Sequence, residues 1–178
     1  MTRAFISVGA NIDPAHNVRE AIRRLASLEN VIAISTVYRT PAQDRPEQPP
    51  YYNCVAALET SEPPADLKSQ VLRRIEQELG RTRSVDKFAA RTIDLDLIWY
   101  DNAVATDSDP TLPDPQISER PFLAVPLCEV APDLVFPDSG MSIRDIAARM
   151  PADDMEPLKD YTDLLRRESA YERERRHG

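Results

Sequence analysis

The sequence has few of the residues that bind zinc or form disulfides. It contains only two cysteines, Cys54 and Cys128, and two histidines. A zinc site needs more Cys and His ligands than this chain offers. Each cysteine lies in an apolar segment, and in a reducing compartment the two are not expected to be joined. We therefore interpret both cysteines as small core residues.

Long apolar runs are also missing. The longest, Val31 to Ile34 and Leu97 to Tyr100, fall far short of the ~20 residues that a membrane-spanning helix needs. The first nine residues have neither the basic start nor the small-residue cleavage site of a secretory signal. We therefore expect a cytoplasmic protein that has no membrane partner.

Positive charge is the third deficit. Lys and Arg total 22 against 30 Asp and Glu, which gives a net charge of −8. Extended nucleic acid is bound by clustered Lys and Arg, so that partner is disfavoured and any anionic ligand must be small and held locally. A chain of 178 residues has the length of one domain. We expect a domain over 1–155 and a charged helical tail over 156–178, as a monomer or, alternatively, a weak dimer.

The spacing of apolar residues predicts alternating strands and helices. Strands are expected at 3–9, 30–38, 51–60 and 92–100, and helices at 14–29 and 63–79. Asp13 is the predicted N-cap of the first helix, and Gly80 the left-handed cap of the second. This order is the ferredoxin-like α+β pattern, an antiparallel sheet with helices on one face. Short helices are predicted at 122–130 and 142–150, and the end of the helical tail is expected to fray.

Two acidic residues in the last of these strands carry the strongest chemical signal. Asp94 and Asp96 are two residues apart, so their carboxylates project from the same face. An isolated Asp-x-Asp is more often a solvated sheet face, but Arg81, Arg83 and Arg91 lead directly into this strand. Hard oxygen ligands beside guanidinium groups suit a magnesium-bridged phosphate. The sequence therefore predicts a site for Mg²⁺ and phosphate at these residues.

Other candidate residues are weaker on their own. Tyr51 and Asn53 open the third strand on one face, where a ring can stack on a planar heterocycle and an amide can bind its edge. An edge aromatic residue beside a capping Asn is an equal alternative. Taken alone, Glu76 and Lys87 are typical solvated charges, and Phe122 is typical of a core.

Taken in order, these segments resemble the 6-hydroxymethyl-7,8-dihydropterin pyrophosphokinase family of the folate pathway, over nearly the whole span 3–137. The most specific segment is Arg91-Thr92-Ile93-Asp94-Leu95-Asp96, which follows Gly80-Arg81-Thr82-Arg83. Further matching segments are Val8-Gly9-Ala10-Asn11, Tyr38-Arg39-Thr40-Pro41, Gln48-Pro49-Pro50-Tyr51-Tyr52-Asn53, Ile75-Glu76 and Arg120-Pro121-Phe122.

The resemblance implies magnesium-dependent transfer of a pyrophosphoryl group from ATP to the hydroxymethyl group of a reduced pterin, with release of AMP. It implies that Asp94 and Asp96 hold two Mg²⁺ ions and that Arg81 and Arg91 stabilise charge on the phosphoryl oxygens. By the same resemblance the pterin-binding residues are Thr40, Pro41, Tyr51, Asn53 and Phe122, and the ATP-binding residues are Glu76, Arg83, Lys87, Asp114 and Arg120. The 81–91 loop resembles a flap that closes over both substrates.

One departure from the family leaves a second function open. Asp114, between Pro113 and Pro115, stands where the family usually has a histidine, so a carboxylate replaces a phosphate-binding side chain. The alternative is therefore a homologue that binds a pterin or nucleotide with weakened or lost catalysis. An RNA-binding module has the same element order, but it needs a basic surface and aromatic residues on its central strands. Here the net charge is negative and the fourth strand carries Asp94 and Asp96, so RNA binding is the least favoured of the three functions.

Overall fold

A six-stranded antiparallel sheet forms the centre of the computed structural model, which describes residues 1–43, 45–82, 85–86 and 89–177. The strands are β1 Thr2–Ala10, β2 Asn30–Ile34, β3 Tyr38–Thr40, β4 Tyr51–Thr60, β5 Asp94–Tyr100 and β6 Glu156–Pro157. They lie in the order β5-β1-β4-β3-β6, and β2 pairs with the other end of β4. The long pairing of β1 with β4, from Thr2↔Thr60 to Ala10↔Tyr52, fixes the register of the sheet.

Helices follow the strands in the predicted order. They are α1 Pro14–Leu28, α2 Pro64–Asp66, a π-helical segment Leu67–Leu72, α3 Arg73–Glu78, a 3₁₀ helix Pro115–Ser118, α4 Pro121–Val130, α5 Ile143–Arg149 and α6 Lys159–His177. The helix predicted at 63–79 is thus present as α2, the π-helical segment and α3 in direct succession. Among the described helices, none combines the length and the apolar character needed to span a bilayer.

Side-chain alternation along β1 separates two hydrophobic layers. Ala4, Ile6 and Val8 pack on one face with α1, α3 and α6, whereas Phe5 belongs to a second layer with α4 and α5. The ferredoxin-like α+β sheet is confirmed, and α1 and α3 share one face as predicted. The expectation of helices on one face alone is incomplete, because α4 and α5 cover part of the opposite face.

The strand predicted over 30–38 is interrupted, which corrects that prediction. At Ser35 the backbone N–H donates to Val55 O at 2.9 Å, but the return bond from Val55 N goes to the Ser35 hydroxyl, also at 2.9 Å. The backbone of Val37 then bonds with Leu158 and Thr162 instead of β4. Local β propensity cannot indicate this break, since partners distant in the sequence cause it.

Three helix ends test the sequence-based expectations. Gly80 closes α3 with φ of +74°, as predicted, and Arg81 N donates to Glu76 O at 3.0 Å. Asp13 precedes α1, but its carboxylate does not cap the helix, because the residue has φ of +40° and uses its backbone carbonyl to accept from His16 and Asn17. The tail is helical through His177, and the expected fraying of its end stays a prediction.

The substitution Ser35→Ala tests the break between β2 and β3. Ser35 is 1% exposed, so the change leaves Val55 N buried without its acceptor. We expect the free energy of unfolding to fall by about 1 to 3 kcal/mol, the cost of an unsatisfied buried donor, as measured by urea denaturation. The control is Ser27→Ala, because the Ser27 hydroxyl bonds only locally, to Arg24 O on the exposed side of α1. Equal losses in both variants would contradict the role of Ser35.

Candidate active site

Two adjoining pockets meet at the start of β5. The first opens on the sheet face that carries α4, whereas the second lies at the β5 edge of the sheet and is lined by residues of the π-helical segment, α3 and β5. The first pocket has a volume of about 400 Å³ and the second about 410 Å³. They share three lining residues, Arg91, Asp94 and Asp96. Strand residues of β1, β4 and β5 form the floor of the first pocket, principally Ser7, Gly9, Asn53, Asp94 and Asp96. Its walls come from loops and from α4, principally Pro41, Gln43, Gln48, Asp114, Arg120 and Phe122.

The two acidic residues of β5 lie where the pockets meet. Leu95 and Leu97 belong to the core on the opposite face, which directs the carboxylates of Asp94 and Asp96 to the pocket side as predicted. The carboxylate of Asp94 forms ion pairs with the guanidinium groups of two arginines, Arg81 and Arg91. The sequence-predicted acidic pair and two of its arginines are therefore assembled in one place.

The pKa of the Asp96 carboxyl is strongly raised. Loss of hydration in the cleft, followed by the negative charges of Asp94 and Glu76, raises its pKa to about 7. Two close carboxylates resist ionising together, and a bound cation removes that resistance. The raised pKa of Asp96 is therefore what we expect of a carboxylate whose ionised form is stabilised only when a cation binds beside it.

The pair is a partial set of metal ligands. No group of three or more acidic, His or Cys side chains in the described parts of the chain is arranged to hold a metal ion. Mg²⁺ is commonly bound by one or two carboxylates and completes its octahedron with water and substrate phosphates. Asp94 and Asp96 fit that donor set, which leaves positions for phosphate oxygens.

Glu76 orients one of the arginines. The residue is 6% exposed, and its carboxylate forms an ion pair with Arg81 and accepts the backbone N–H of Leu95 at 2.8 Å. Burial raises the pKa of Glu76, while the bond from Leu95 and the charge of Arg81 act against that rise. Glu76 lines the second pocket and joins the end of α3 to the start of β5.

Asn53 is fixed on the floor of the first pocket. Its Nδ2 donates to Thr40 Oγ1 at 2.7 Å, and both residues are buried. A Cβ at Gly9 would lie 2.7 Å from Asn53 Oδ1, so the amide lies directly over this glycine. Tyr51 lines the same pocket, and burial raises the pKa of its phenol. The structure therefore brings Thr40, Tyr51 and Asn53 together as predicted.

Asn11 is a site residue that the sequence reasoning did not single out. It is 1% exposed, and its side chain donates to Gln48 Oε1 at 3.1 Å and accepts from Arg91 N at 2.8 Å. The loops on the two sides of the pocket are thereby joined, and an ion pair at 2.9 Å between Arg45 and Asp86 joins them again. In the sequence, Asn11 is marked only as the last residue of the Val8-Gly9-Ala10-Asn11 segment, and so short a segment does not by itself indicate a role for Asn11.

The remaining wall residues lie near α4. Arg120 directly precedes this helix and donates to Gln43 Oε1 at 2.6 Å, and Phe122 is half-buried at the pocket edge. The carboxylate of Asp114 accepts Gln116 N at 2.9 Å, and burial raises its pKa. Asp114 therefore faces the first pocket and caps a 3₁₀ helix at the same time.

Two predicted ATP-binding residues, Arg83 and Lys87, lie outside the described residues. The flap interpretation of the 81–91 loop also depends on them, and it stays a prediction.

Comparison with known proteins gives one consistent result. The family model for 7,8-dihydro-6-hydroxymethylpterin-pyrophosphokinase matches residues 5–132. The 2-amino-4-hydroxy-6-hydroxymethyldihydropteridine pyrophosphokinase of Synechocystis is 41% identical over 143 residues, which cover 79% of this chain and 72% of the relative. The enzyme of the same name from Haemophilus influenzae is 35% identical over 142 residues, which cover 78% and 88%.

The fold likeness extends to more distant solved structures. The crystal structure of Plasmodium falciparum HPPK-DHPS wild type with SDX-DHP matches with a TM-score of 0.63 at 10% identity. The match covers 88% of this chain and 47% of that chain, so this protein spans about half the length of that structure. At this identity the likeness supports the fold alone.

The substitution Gly9→Ala tests the close approach of Asn53. The added methyl group cannot fit 2.7 Å from Oδ1, so the amide must rotate away from Thr40. We expect a loss of about 1 to 3 kcal/mol in the free energy of unfolding, the usual cost of overpacking, as measured by chemical denaturation. The double variant Gly9→Ala/Asn53→Ala removes the obstructing amide and should cost less than the sum of the two single changes. Strict additivity would count against the contact.

Proposed function

Because the chain belongs to the 7,8-dihydro-6-hydroxymethylpterin pyrophosphokinase family and transfers a pyrophosphoryl group from ATP to the hydroxymethyl pterin of folate biosynthesis, we propose that its two adjoining pockets divide the substrates between them. The pterin occupies the first pocket, and the triphosphate of ATP lies in the second. The observation that carries this proposal is the position of Asp94 and Asp96, which line both pockets.

The acidic pair is the candidate magnesium site of the reaction. Asp94 and Asp96 would bind two Mg²⁺ ions, which when bound supply positive charge that offsets the triphosphate. The pair lies at the border of the two pockets, where the pterin hydroxyl would attack the β-phosphorus of ATP in line with the departing AMP. The donor chemistry of the pair and the raised pKa of Asp96 support this role.

Arg81 and Arg91 change partners when ATP binds. In the free protein both form ion pairs with Asp94. A triphosphate offers more negative charge and more acceptor oxygens than one carboxylate does, so the guanidinium groups turn to the phosphates and Asp94 becomes available to Mg²⁺. Glu76 keeps Arg81 anchored during the exchange, because it contacts the same guanidinium group from buried surroundings.

The first pocket recognises a flat heterocycle. Tyr51 and Phe122 provide rings for stacking, and the Asn53 amide with the backbone at Thr40 and Pro41 binds the edge of the pterin. The bond from Asn53 Nδ2 to Thr40 fixes the amide, so its oxygen is presented in one orientation. Such preorganisation lowers the entropy that ligand binding costs.

Asp114 adds negative charge near the border of the two pockets, from the wall of the first. Its carboxylate faces Asp96 closely enough to raise the pKa of that residue further. Of the other residues assigned to ATP from the sequence, Glu76 lines the second pocket, whereas Arg120 lines the first. The ATP roles of Asp114 and Arg120 stay predictions, as do those of Arg83 and Lys87. A homologue with weakened catalysis is the alternative that Asp114 raises, but the assembly of Asp94 with Arg81 and Arg91 favours a working enzyme.

Three expectations from the sequence stay predictions. These are the cytoplasmic location, the monomeric state with a weak dimer as its alternative, and the boundary between the domain over 1–155 and the tail over 156–178.

The variant Asp96→Asn tests the proposed reaction directly. With ATP, Mg²⁺ and hydroxymethyl-dihydropterin, the wild-type protein should form AMP together with the pterin diphosphate, quantified by chromatography. Asp96→Asn should lower turnover by at least about 100-fold, since it removes charge that acts on the transition state. Asp101→Asn makes the same chemical change just after β5, at an exposed turn position, and should keep full activity. A folded Asp96→Asn protein with near-normal turnover would refute the metal role.

The variant Tyr51→Ala tests the assignment of the first pocket. Loss of the ring should weaken pterin binding by roughly 1 to 3 kcal/mol, the range of base stacking on aromatic side chains, while ATP affinity stays unchanged. Tyr51→Phe keeps the ring and should bind the pterin normally. Isothermal titration calorimetry with each ligand separates these cases. If both ligands bind more weakly to Tyr51→Ala, the two pockets are not divided as proposed.

A further inference from the structure

The chain continues well beyond the part that the family model matches. That match ends at residue 132, and the structure then adds α5, β6 and α6. Among the described residues that line the first and second pockets, none comes from this later part of the chain. β6 nevertheless pairs with β3, the strand that carries Thr40 into the first pocket.

β3 is too short to hold its own position. It has three residues, and its inner edge makes only the pairs Tyr38↔Asn53, Arg39↔Tyr52 and Thr40↔Tyr51 with β4. The proline-rich 41–50 segment follows β3 directly and contributes to the wall of the first pocket, so a displacement of β3 would move that wall. β6 occupies the outer edge of β3, and an ion pair of 3.1 Å joins Arg39 to Glu156 there.

Thr162 fixes the residue that leads into β3. Its hydroxyl accepts the backbone N–H of Val37 at 2.9 Å and donates to Leu158 O at 2.8 Å. The carbonyl of Val37 accepts Leu158 N at 2.8 Å, so both backbone groups of this residue bond with the C-terminal segment. Thr162 is 2% exposed and Val37 is fully buried, so water cannot replace these bonds.

α6 connects this attachment to the body of the protein. Arg166 donates to Ile34 O at 3.0 Å, and Tyr161 donates to Ala15 O at 2.6 Å. Arg23 forms an ion pair with Glu172 at 3.3 Å. The helix is therefore held on α1 and β2, and the position of Thr162 follows from elements that do not belong to the pockets.

We propose that the segment 156–162 positions the pterin-binding wall of the active site by holding β3 from its outer edge, with Thr162 as the positioning residue. Thr162 touches neither substrate and acts through Val37 and Thr40. The inference rests on the proposed assignment of the first pocket to the pterin. It predicts that damage at Thr162 changes pterin affinity and leaves ATP affinity intact.

The test is Thr162→Val, which keeps the shape of the side chain and removes its hydroxyl. We expect the pterin Kd to rise roughly tenfold, the scale of one lost buried hydrogen bond, while the ATP Kd changes less than about twofold. Thr162→Ser restores the hydroxyl and should bind the pterin normally. Thr60→Val is the matched control, because it makes the same change at a buried threonine at the far end of β4, whose hydroxyl accepts Glu62 N at 3.0 Å and which lines neither pocket; Tm should fall while both Kd values stay at wild-type level.

The outcomes separate this inference from the proposed function. If the wild-type protein does not form AMP and pterin diphosphate, the proposed function fails. If it does, and Thr162→Val binds the pterin as tightly as wild type or loses both ligands equally, only the positioning role fails. If Thr162→Val does not fold, the exposed variant Glu156→Lys carries the test. It replaces the ion pair between Arg39 and Glu156 with two positive charges, which should weaken the pairing of β3 with β6. An unchanged pterin Kd in that variant would overturn the proposal.

Discussion

The like charges of Asp94 and Asp96 are the constraint on which the rest of the site depends. Leu95, between them, belongs to the core, so β5 cannot rotate to separate the carboxylates. Positive charge must therefore come to the pair, and Arg81 and Arg91 supply part of it through their ion pairs with Asp94. Arg81 arrives from the turn at Gly80, and buried Glu76 holds it in place. A packing requirement on one face of the strand thus dictates the electrostatics on the other.

This arrangement explains how the site can be stable before its substrates bind. Buried or half-buried carboxylates without partners destabilise a fold, whereas paired ones are tolerated. The network of Glu76, Arg81, Asp94 and Arg91 gives the carboxylates partners in the free protein. The same network can be rearranged, because a triphosphate offers the guanidinium groups the same kind of charged acceptor oxygen that the carboxylates offer. Stability and readiness for an anionic ligand come from the same side chains.

The sequence predicted the parts of the structure that depend on local patterns. Alternation along β5 placed Asp94 and Asp96 on one face, and the expectation that Tyr51 and Asn53 share a face is also correct, since all four residues line the first pocket. The break after Ile34 was beyond such reasoning, because Thr162, which is 125 residues away from Val37, helps to cause it. The role of Asn11 was missed for a related reason, since its partners at Gln48 and Arg91 come from loops distant in the chain.

The first pocket lies where the second hydrophobic layer stops. α4 and α5 cover only part of that sheet face, and the uncovered strand positions, such as Gly9, Asn53 and Asp96, become the floor. Behind this floor is the fully packed layer of α1 and α3, so the floor cannot yield to a larger ligand. The walls, in contrast, are loop segments and a helix end, which tolerate sequence change more readily. In related proteins, altered ligand size should therefore be accommodated by divergence around Gln43 and Phe122, while the sheet positions beneath stay small and polar.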